Sequence, residues 1–152
     1  MMALSKIHSG APLLVWNASA SAPIGLYWVG KTEPLARNDL VLATLPSSIR
    51  ALAAERGYLP MGVNLIKRVV ALSRDQVCGD GVNIAINGEG VAKRLSVDNQ
   101  HRPMPFWMGC KTLAHDDVFL LMKDVSASFD GRYFGVTSRG SVIGRLVPLW
   151  TP

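Results

Sequence analysis

One lysine lies among apolar residues in the segment 63–72, and that lysine could act as a base. The segment has the sequence VNLIKRVVAL, and alternate residues of a β-strand share one face. Lys67 is then the only polar residue on a face that also carries Val63, Leu65, Val69 and Ala71. Burial disfavours an ammonium ion and lowers its pKa, so such a lysine can accept a proton from a serine. The alternative is a lysine whose apolar stem is covered while its charged head stays in water.

Two serines that could supply the nucleophile precede the first predicted strand. Ser19 and Ser21 lie in the segment NASASAPIGLY, which covers residues 17–27. By itself this composition is typical of a Ser/Ala/Pro linker that leads into an edge strand. A serine hydroxyl becomes a competent nucleophile when a nearby base removes its proton, so Ser21 becomes a candidate in combination with Lys67.

The three histidines are weaker candidates for the base. His8 lies near the N-terminus, His101 is in a polar loop, and His115 precedes two aspartates at a predicted turn. Catalytic triads assemble from distant positions of a chain, so a Ser-His-Asp arrangement stays open as an alternative.

The elements that must position these residues are mainly β-strands. Short segments with strand character are separated by Gly, Asp, Asn and Pro, as turns require. The segment 47–57 predicts one helix, in which Ser47 accepts a backbone N–H at the N-terminus and Gly57 ends the last turn. The sequence therefore predicts a mainly β domain with one short helix. The predicted strands are 24–29, 39–45, 63–72, 82–86, 90–95, 118–122, 133–136 and 141–147.

Composition and charge exclude several classes of protein. A chain of 152 residues has the size of one domain, and its 49% hydrophobic content excludes a disordered chain. The net charge of +5 comes from scattered basic residues, so we expect no nucleic-acid partner. No apolar run approaches the length of a membrane span, and no glycine-rich phosphate-binding pattern is present.

The two cysteines, Cys78 and Cys110, lack the spacing of a zinc site, so we expect no metal and no cofactor. They are either separate buried thiols or one disulfide, which would require an oxidising compartment.

Three segments that carry candidate catalytic residues follow one another along the chain. Ser21-x-Pro-x-Gly-x-Tyr comes first, LIKRVVAL follows at residues 65–72, and SFDGRYFG covers residues 128–135. This order resembles the type I signal peptidase family of Ser/Lys serine proteases, and its conjugative-transfer (TraF-type) branch in particular. The end of the chain, with Ile143-Gly144-Arg145 and Pro148-Leu149-Trp150, is similar to the same branch.

The resemblance implies a role for four residues of the candidate site. Ser21 matches the nucleophile, and Lys67 matches the general base. Ser19 matches the position whose hydroxyl helps the Ser21 backbone N–H stabilise the oxyanion. Ser128 matches the hydroxyl that orients the lysine amine.

The resemblance also implies structural features near that site. Asp130 and Arg132 are expected to form an ion pair, and Gly131 stands where the family usually has a serine. Cys78 and Cys110 lie in a region where periplasmic members of the family can carry a disulfide, so the resemblance favours the bonded alternative.

By the same resemblance, residues 17–152 form a catalytic domain with a signal-peptidase-like (LexA-like) β fold, and residues 1–16 are a segment close to the membrane. The doubled Met1-Met2 and the short stretch before Ser21 suggest that this is a soluble part of a longer, anchored chain. The apolar segment 13–16 is then the outer end of the anchor, a membrane-surface contact or an ordinary strand. The expected location is the periplasmic face of the bacterial inner membrane.

The expected function is that of a membrane-associated serine endopeptidase. Its partners would be the membrane surface and a protein substrate, either a conjugative pilin precursor or a protein that carries a signal peptide. The acyl-enzyme would be resolved by water or by a substrate amine, which would close a ring. Two alternatives are a LexA-type self-cleaving Ser/Lys module, against which a disulfide would count, and a non-catalytic scaffold of the conjugation apparatus.

Overall fold

Eleven β-strands form two antiparallel sheets within residues 13–152, the part of the chain that the computed structural model describes. The strands are β1 (Leu14–Asn17), β2 (Gly25–Val29), β3 (Leu40–Ala43), β4 (Leu65–Ala71), β5 (Gln76–Gly79), β6 (Asn83–Ile86), β7 (Glu89–Lys93), β8 (Gly109–Thr112), β9 (Asp117–Leu121), β10 (Thr137–Ser138) and β11 (Val142–Trp150). They are accompanied by helix α1 (Ser47–Glu55), a helical turn α2 (Gly131–Phe134) and a 3₁₀ turn (Arg139–Ser141). The mainly β fold with one short helix, predicted from the sequence, is confirmed.

The larger sheet has seven strands in the order β1-β2-β11-β3-β4-β9-β10. The central strand β4 pairs with β3 and β9, and Lys67 stands opposite Val41. This sheet curls, so that the loop between β1 and β2 returns towards the middle strands. Ala22 of that loop belongs to the same buried cluster as Leu42 of β3 and Met122, which follows β9. Burial of these apolar side chains therefore holds the loop near β4.

The smaller sheet has four strands in the order β7-β6-β5-β8. Cys78 on β5 and Cys110 on β8 are register partners and form a disulfide bond. The inner face of this sheet packs against β9, where Val77, Ile84 and Phe119 lie in one fully buried cluster. This packing joins the two sheets into one body.

Helix α1 has the predicted position, but not the predicted N-terminal cap. Pro46 is its N-cap, no side chain makes a capping hydrogen bond, and the expectation for Ser47 was therefore wrong. Gly57 has a φ of +74°, and its N–H donates to Ala54 O at 3.2 Å, so the expected end of the helix is confirmed. The helix packs on Leu65 of β4 through Ala53, which is fully buried.

The predicted strand at 133–136 was wrong, because part of it forms the helical turn α2. The Asp130 side chain accepts the Arg132 backbone N–H at 3.1 Å, and Gly135 ends the turn with a φ of +79°. Strands β5 and β8 were not predicted, because they combine polar residues with glycine and a cysteine rather than an alternating apolar pattern. Within residues 13–152, no helix has the length and apolar character needed to cross a bilayer.

Candidate active site

A cleft of about 570 Å³ brings together four residues that the sequence singled out. Ser19 and Ser21 come from residues 18–24, here called the serine loop, between β1 and β2. Lys67 comes from β4, and Ser128 comes from the segment between β9 and α2. The walls of the cleft are largely apolar and include Val15, Trp16, Leu42, Leu65, Ile66 and Phe129.

Lys67 is buried, with 6% of its surface exposed, although it carries an amine. Its Nζ lies 2.8 Å from Ser128 Oγ, in a buried hydrogen bond. Burial lowers the pKa of Lys67, the negative charge of Asp130 raises it, and the positive charge of Arg132 lowers it. Loss of water around the amine is the largest of these effects, so the amine is easier to deprotonate than an exposed lysine.

The two serines of the loop contact each other. Ser19 Oγ and Ser21 Oγ are 2.9 Å apart, and the Ser21 backbone N–H donates to Ser19 Oγ at 3.3 Å. Among the described residues, Ser21 Oγ makes no direct hydrogen bond to Lys67 Nζ, although both side chains line the cleft. Proton transfer between them would therefore require Ser21 Oγ to turn away from Ser19 and towards Lys67. Catalytic hydrogen bonds often shorten in this way when substrate binds.

Asp130 and Arg132 form an ion pair close enough to the cleft for both charges to affect the pKa of Lys67. Both side chains are almost wholly buried, and Arg132 Nε donates to Asp130 Oδ1 at 2.8 Å. Nη2 of Arg132 donates to Asp130 Oδ2 at 3.1 Å, which makes the pair bidentate. The remaining donors of the guanidinium bind four backbone carbonyls, those of Lys93, Met122, Val125 and Ser126. The pair therefore holds in place the segment that carries Ser128.

Gly131 fits its position because the backbone of β9 passes very close to it. A Cβ atom at this position would lie 2.7 Å from the carbonyl oxygen of Leu120 and 2.8 Å from the ring of Phe119. A serine would therefore force the α2 segment away from β9.

Two residues that the sequence did not single out connect the smaller sheet to this segment. The buried Arg94 donates to the backbone carbonyls of Arg132, Asp80 and Trp107, and its guanidinium lies over the Trp107 ring. Trp107 Nε1 donates to Gly131 O at 2.8 Å. A lone arginine beside a lysine gives no local signal for this role, because its partners come from distant parts of the chain.

The sequence also did not single out Asn17, the last residue of β1. It is buried, and its side chain binds the serine loop. The available signal was a polar residue that directly follows the apolar segment 13–16, four positions before Ser21.

Neither of the two histidines that the structure describes is part of the cleft. His101 and His115 are exposed and do not line it, and His8 and Met1-Met2 lie outside the described residues. In residues 13–152, no three His, Cys, Asp or Glu side chains are grouped as metal ligands would be.

Comparison with known proteins identifies a family for almost the whole chain. Residues 1–150 match the family described as "Signal peptidase, peptidase S26". Two proteins from Escherichia coli, each called "Plasmid transfer protein TraF", are similar to it. One is 35% identical over 146 residues and the other 32% identical over 145 residues, and each comparison covers 89% of this chain and 81% of the relative.

A third relative comes from Sinorhizobium fredii, where it is called "Probable conjugal transfer protein TraF". It is 34% identical over 139 residues, which cover 84% of this chain and 72% of the relative. Among solved structures, a signal peptidase I from Enterococcus faecalis is similar with a TM-score of 0.43 and 20% sequence identity, over 76% of this chain and 98% of that one.

Proposed function

The chain belongs to the signal peptidase family S26, and from that premise we propose that it is a serine endopeptidase that uses Ser21 as nucleophile and Lys67 as general base. One observation carries the proposal: the Lys67 amine is buried in the cleft that Ser21 lines, and Ser128 Oγ holds it at 2.8 Å. A buried amine of this kind is neutral at a lower pH than an exposed one. It can then accept the proton of a serine hydroxyl.

The reaction begins when a substrate peptide enters the cleft and its carbonyl oxygen approaches the serine loop. That oxygen displaces the contact between the Ser21 N–H and Ser19 Oγ, and both groups then donate to it. Ser21 Oγ turns towards Lys67 Nζ, transfers its proton to the amine and attacks the carbonyl carbon. The resulting tetrahedral oxyanion is stabilised by the Ser21 N–H and the Ser19 hydroxyl.

Collapse of the tetrahedral intermediate breaks the peptide C–N bond. The leaving nitrogen takes the proton from the Lys67 ammonium, and the acyl group stays on Ser21 Oγ. Lys67, again neutral, accepts a proton from the next nucleophile as that nucleophile attacks the ester. Water as nucleophile releases an acid, whereas a substrate amine forms a new amide and closes a ring.

We further propose that the substrate is an exported precursor used in conjugation, namely a pilin precursor. The support is the similarity to relatives whose names refer to plasmid transfer and conjugal transfer. The Cys78–Cys110 disulfide favours an oxidising compartment, which supports the periplasm as location and counts against a cytoplasmic self-cleaving module.

An apolar face of the larger sheet supports a membrane surface as second partner. Trp16, Trp28 and Trp150 are each about half exposed, and the Trp16 and Trp150 rings lie 5.8 Å apart. The register places Leu14 opposite Trp28, and Trp16 and Trp150 opposite Leu26, so these side chains share one face. Tryptophans of this kind favour the interface between lipid and water, and they would place the adjoining cleft beside the membrane.

The test is incubation of a pilin precursor with the wild-type protein and two variants, followed by mass spectrometry. Ser21→Ala and Lys67→Arg should both abolish cleavage, because the first lacks the nucleophile and the guanidinium of the second does not give up its proton near neutral pH. Ser73→Ala is a matched control, since Ser73 is exposed in a turn and does not line the cleft. A cyclic product would be lighter than the linear one by one water molecule.

A serine-directed acylating probe separates the enzyme from a scaffold that retained the fold. The probe should label the wild-type protein at Ser21 and should leave Ser21→Ala unlabelled. Absence of labelling of the folded wild-type protein under all conditions, or full cleavage by Lys67→Arg, would contradict the proposed dyad.

For the membrane surface, sedimentation with phospholipid vesicles should fall when Trp16 and Trp150 are both replaced by alanine. Equal sedimentation of both proteins would contradict that assignment.

A further inference from the structure

We infer that Asn17 is a positioning residue for the nucleophile, because its side chain holds the serine loop through both ends of its amide group. This inference rests on the proposed role of Ser21. Asn17 is the last residue of β1 and lines the cleft beside the serine loop, although only 3% of its surface is exposed. Its amide group is engaged by the backbone of that loop, so it acts on the reaction through the loop it binds.

The amide of Asn17 binds both sides of Ser19. Its Oδ1 accepts the Ser19 backbone N–H at 2.9 Å, and its Nδ2 donates to Ser19 O at 3.0 Å. The Ser19 carbonyl also accepts the Ala22 N–H at 3.4 Å, which closes a turn with Ser21 inside it. The position of Ser19 Oγ, which contacts both the N–H and the Oγ of Ser21, is therefore set by Asn17.

The same amide nitrogen also holds the far side of the turn. Nδ2 donates to the carbonyls of Ala22 and Pro23, each at 3.1 Å, so its two hydrogens serve three acceptors. Tyr27 supports the arrangement, because its buried hydroxyl donates to Pro23 O at 2.6 Å. The backbone of Ser21 thus lies between two fixed points, Ser19 and Ala22.

These contacts require an amide, which a carboxylate of the same shape cannot replace. In Asn17→Asp, an oxygen would face three carbonyl oxygens without a hydrogen to share, and the turn would open. A protonated carboxyl group could still donate to one of them. The defect should therefore grow as pH rises and the new carboxyl group ionises, which a simple loss of packing would not do.

The experiment measures acylation of Ser21 by a serine-directed probe and cleavage of a peptide substrate, in wild type, Asn17→Asp and Asn17→Ala. We expect kcat and the acylation rate to fall about 100-fold in both variants, as for a reacting group displaced by about 1 Å, with little change in KM. The loss in Asn17→Asp should increase with pH relative to wild type, whereas the loss in Asn17→Ala should not. Rates are divided by the number of sites that the probe labels after long incubation, so partly folded material does not distort them.

Asn83→Ala is the matched control. Asn83 also donates through its side-chain amide, to Asp80 at 3.2 Å, but it lies in the smaller sheet and does not line the cleft. This variant should react at the wild-type rate.

Two outcomes would decide against Asn17. Wild-type acylation in either folded variant would overturn the inference, and so would failure of both to fold, since Asn17 would then determine stability rather than the geometry of Ser21. Ser21→Ala in the same assay distinguishes the two proposals. If Ser21→Ala reacts like wild type, the proposed function fails; if it is inert while the Asn17 variants keep full rate, only the positioning role fails.

Discussion

Replacement of Asp130 by alanine should cost this protein much of its stability. The Asp130 carboxylate is fully buried and accepts four hydrogen bonds, three from Arg132 and one from the Met122 backbone N–H at 3.0 Å. Without it, the Arg132 guanidinium keeps its carbonyl partners but loses the one carboxylate that pairs with it within residues 13–152. Leaving one member of a buried pair uncompensated typically costs about 3–5 kcal/mol.

That free energy corresponds to a large change in melting temperature. For a chain of this length, each kcal/mol lowers Tm by about 2–4 °C, so we expect Asp130→Ala to melt about 6–20 °C below wild type. Calorimetry at neutral pH, or circular dichroism during heating, measures the shift. Glu33→Gln provides a matched control, because Glu33 forms an ion pair with Arg139 but its side chain is 57% exposed. An exposed pair contributes about 0–1 kcal/mol, so this control should melt within about 4 °C of wild type.

A double variant tests whether the unpaired Arg132 causes this loss of stability. If the cost of Asp130→Ala comes from an uncompensated Arg132, then Asp130→Ala with Arg132→Met should be less destabilised than the sum of the two single variants. A Tm shift below about 2 °C for Asp130→Ala would refute the structural role of the carboxylate. Simple additivity in the double variant would refute the proposed reason for the cost.

Three further predictions concern the lysine, the histidines and the disulfide. Burial lowers the Lys67 pKa below 10.5, so the unfolded chain binds more protons than the folded chain between the lowered pKa and pH 10.5. In that pH window, the unfolding free energy of wild type should rise relative to that of Lys67→Met, by up to about 1.4 kcal/mol per pH unit. Parallel curves of unfolding free energy against pH would contradict a buried amine. His101→Ala and His115→Ala should cleave substrate at the wild-type rate, and a folded but inactive His115→Ala protein would support a triad instead. The double variant Cys78→Ser/Cys110→Ser removes a disulfide with a sequence separation of 32, so its free energy of unfolding, measured with denaturant, should be roughly 3–4 kcal/mol lower than that of wild type. Equal free energies for the two proteins would contradict the disulfide bond.

Much of the fold follows from local patterns in the chain. Alternating apolar residues predicted β4, and the burial of Leu65, Lys67, Val69 and Ala71 on that strand agrees with the alternation. Alanine and leucine at helical spacing predicted α1, and a glycine at the left-handed position marked its end. These signals are reliable because each depends on the chemistry of residues that are neighbours in sequence.

Local patterns failed where distant groups decide the conformation. Tyr133 and Phe134 favour a strand by composition, but the Asp130 side chain caps a helical turn there and the bidentate contact with Arg132 holds it. Strand β8 is polar and exposed, and it exists because β5 offers hydrogen bonds and a cysteine partner in register. The role of Asn17 depends on carbonyls of the serine loop, whose direction no spacing rule supplies.

By itself, the sequence determined that the protein is mainly β, and it identified the serine and the lysine as candidates because a charged amine on an apolar face is costly. Their catalytic roles stay predictions until the variants are measured. Only the tertiary structure decided that they share a cleft, because β2, β11 and β3 separate β1 from β4 in the larger sheet. Curling of that sheet and burial of Ala22 close the gap, and the loss of water that lowers the Lys67 pKa arises from groups that meet only in the folded chain.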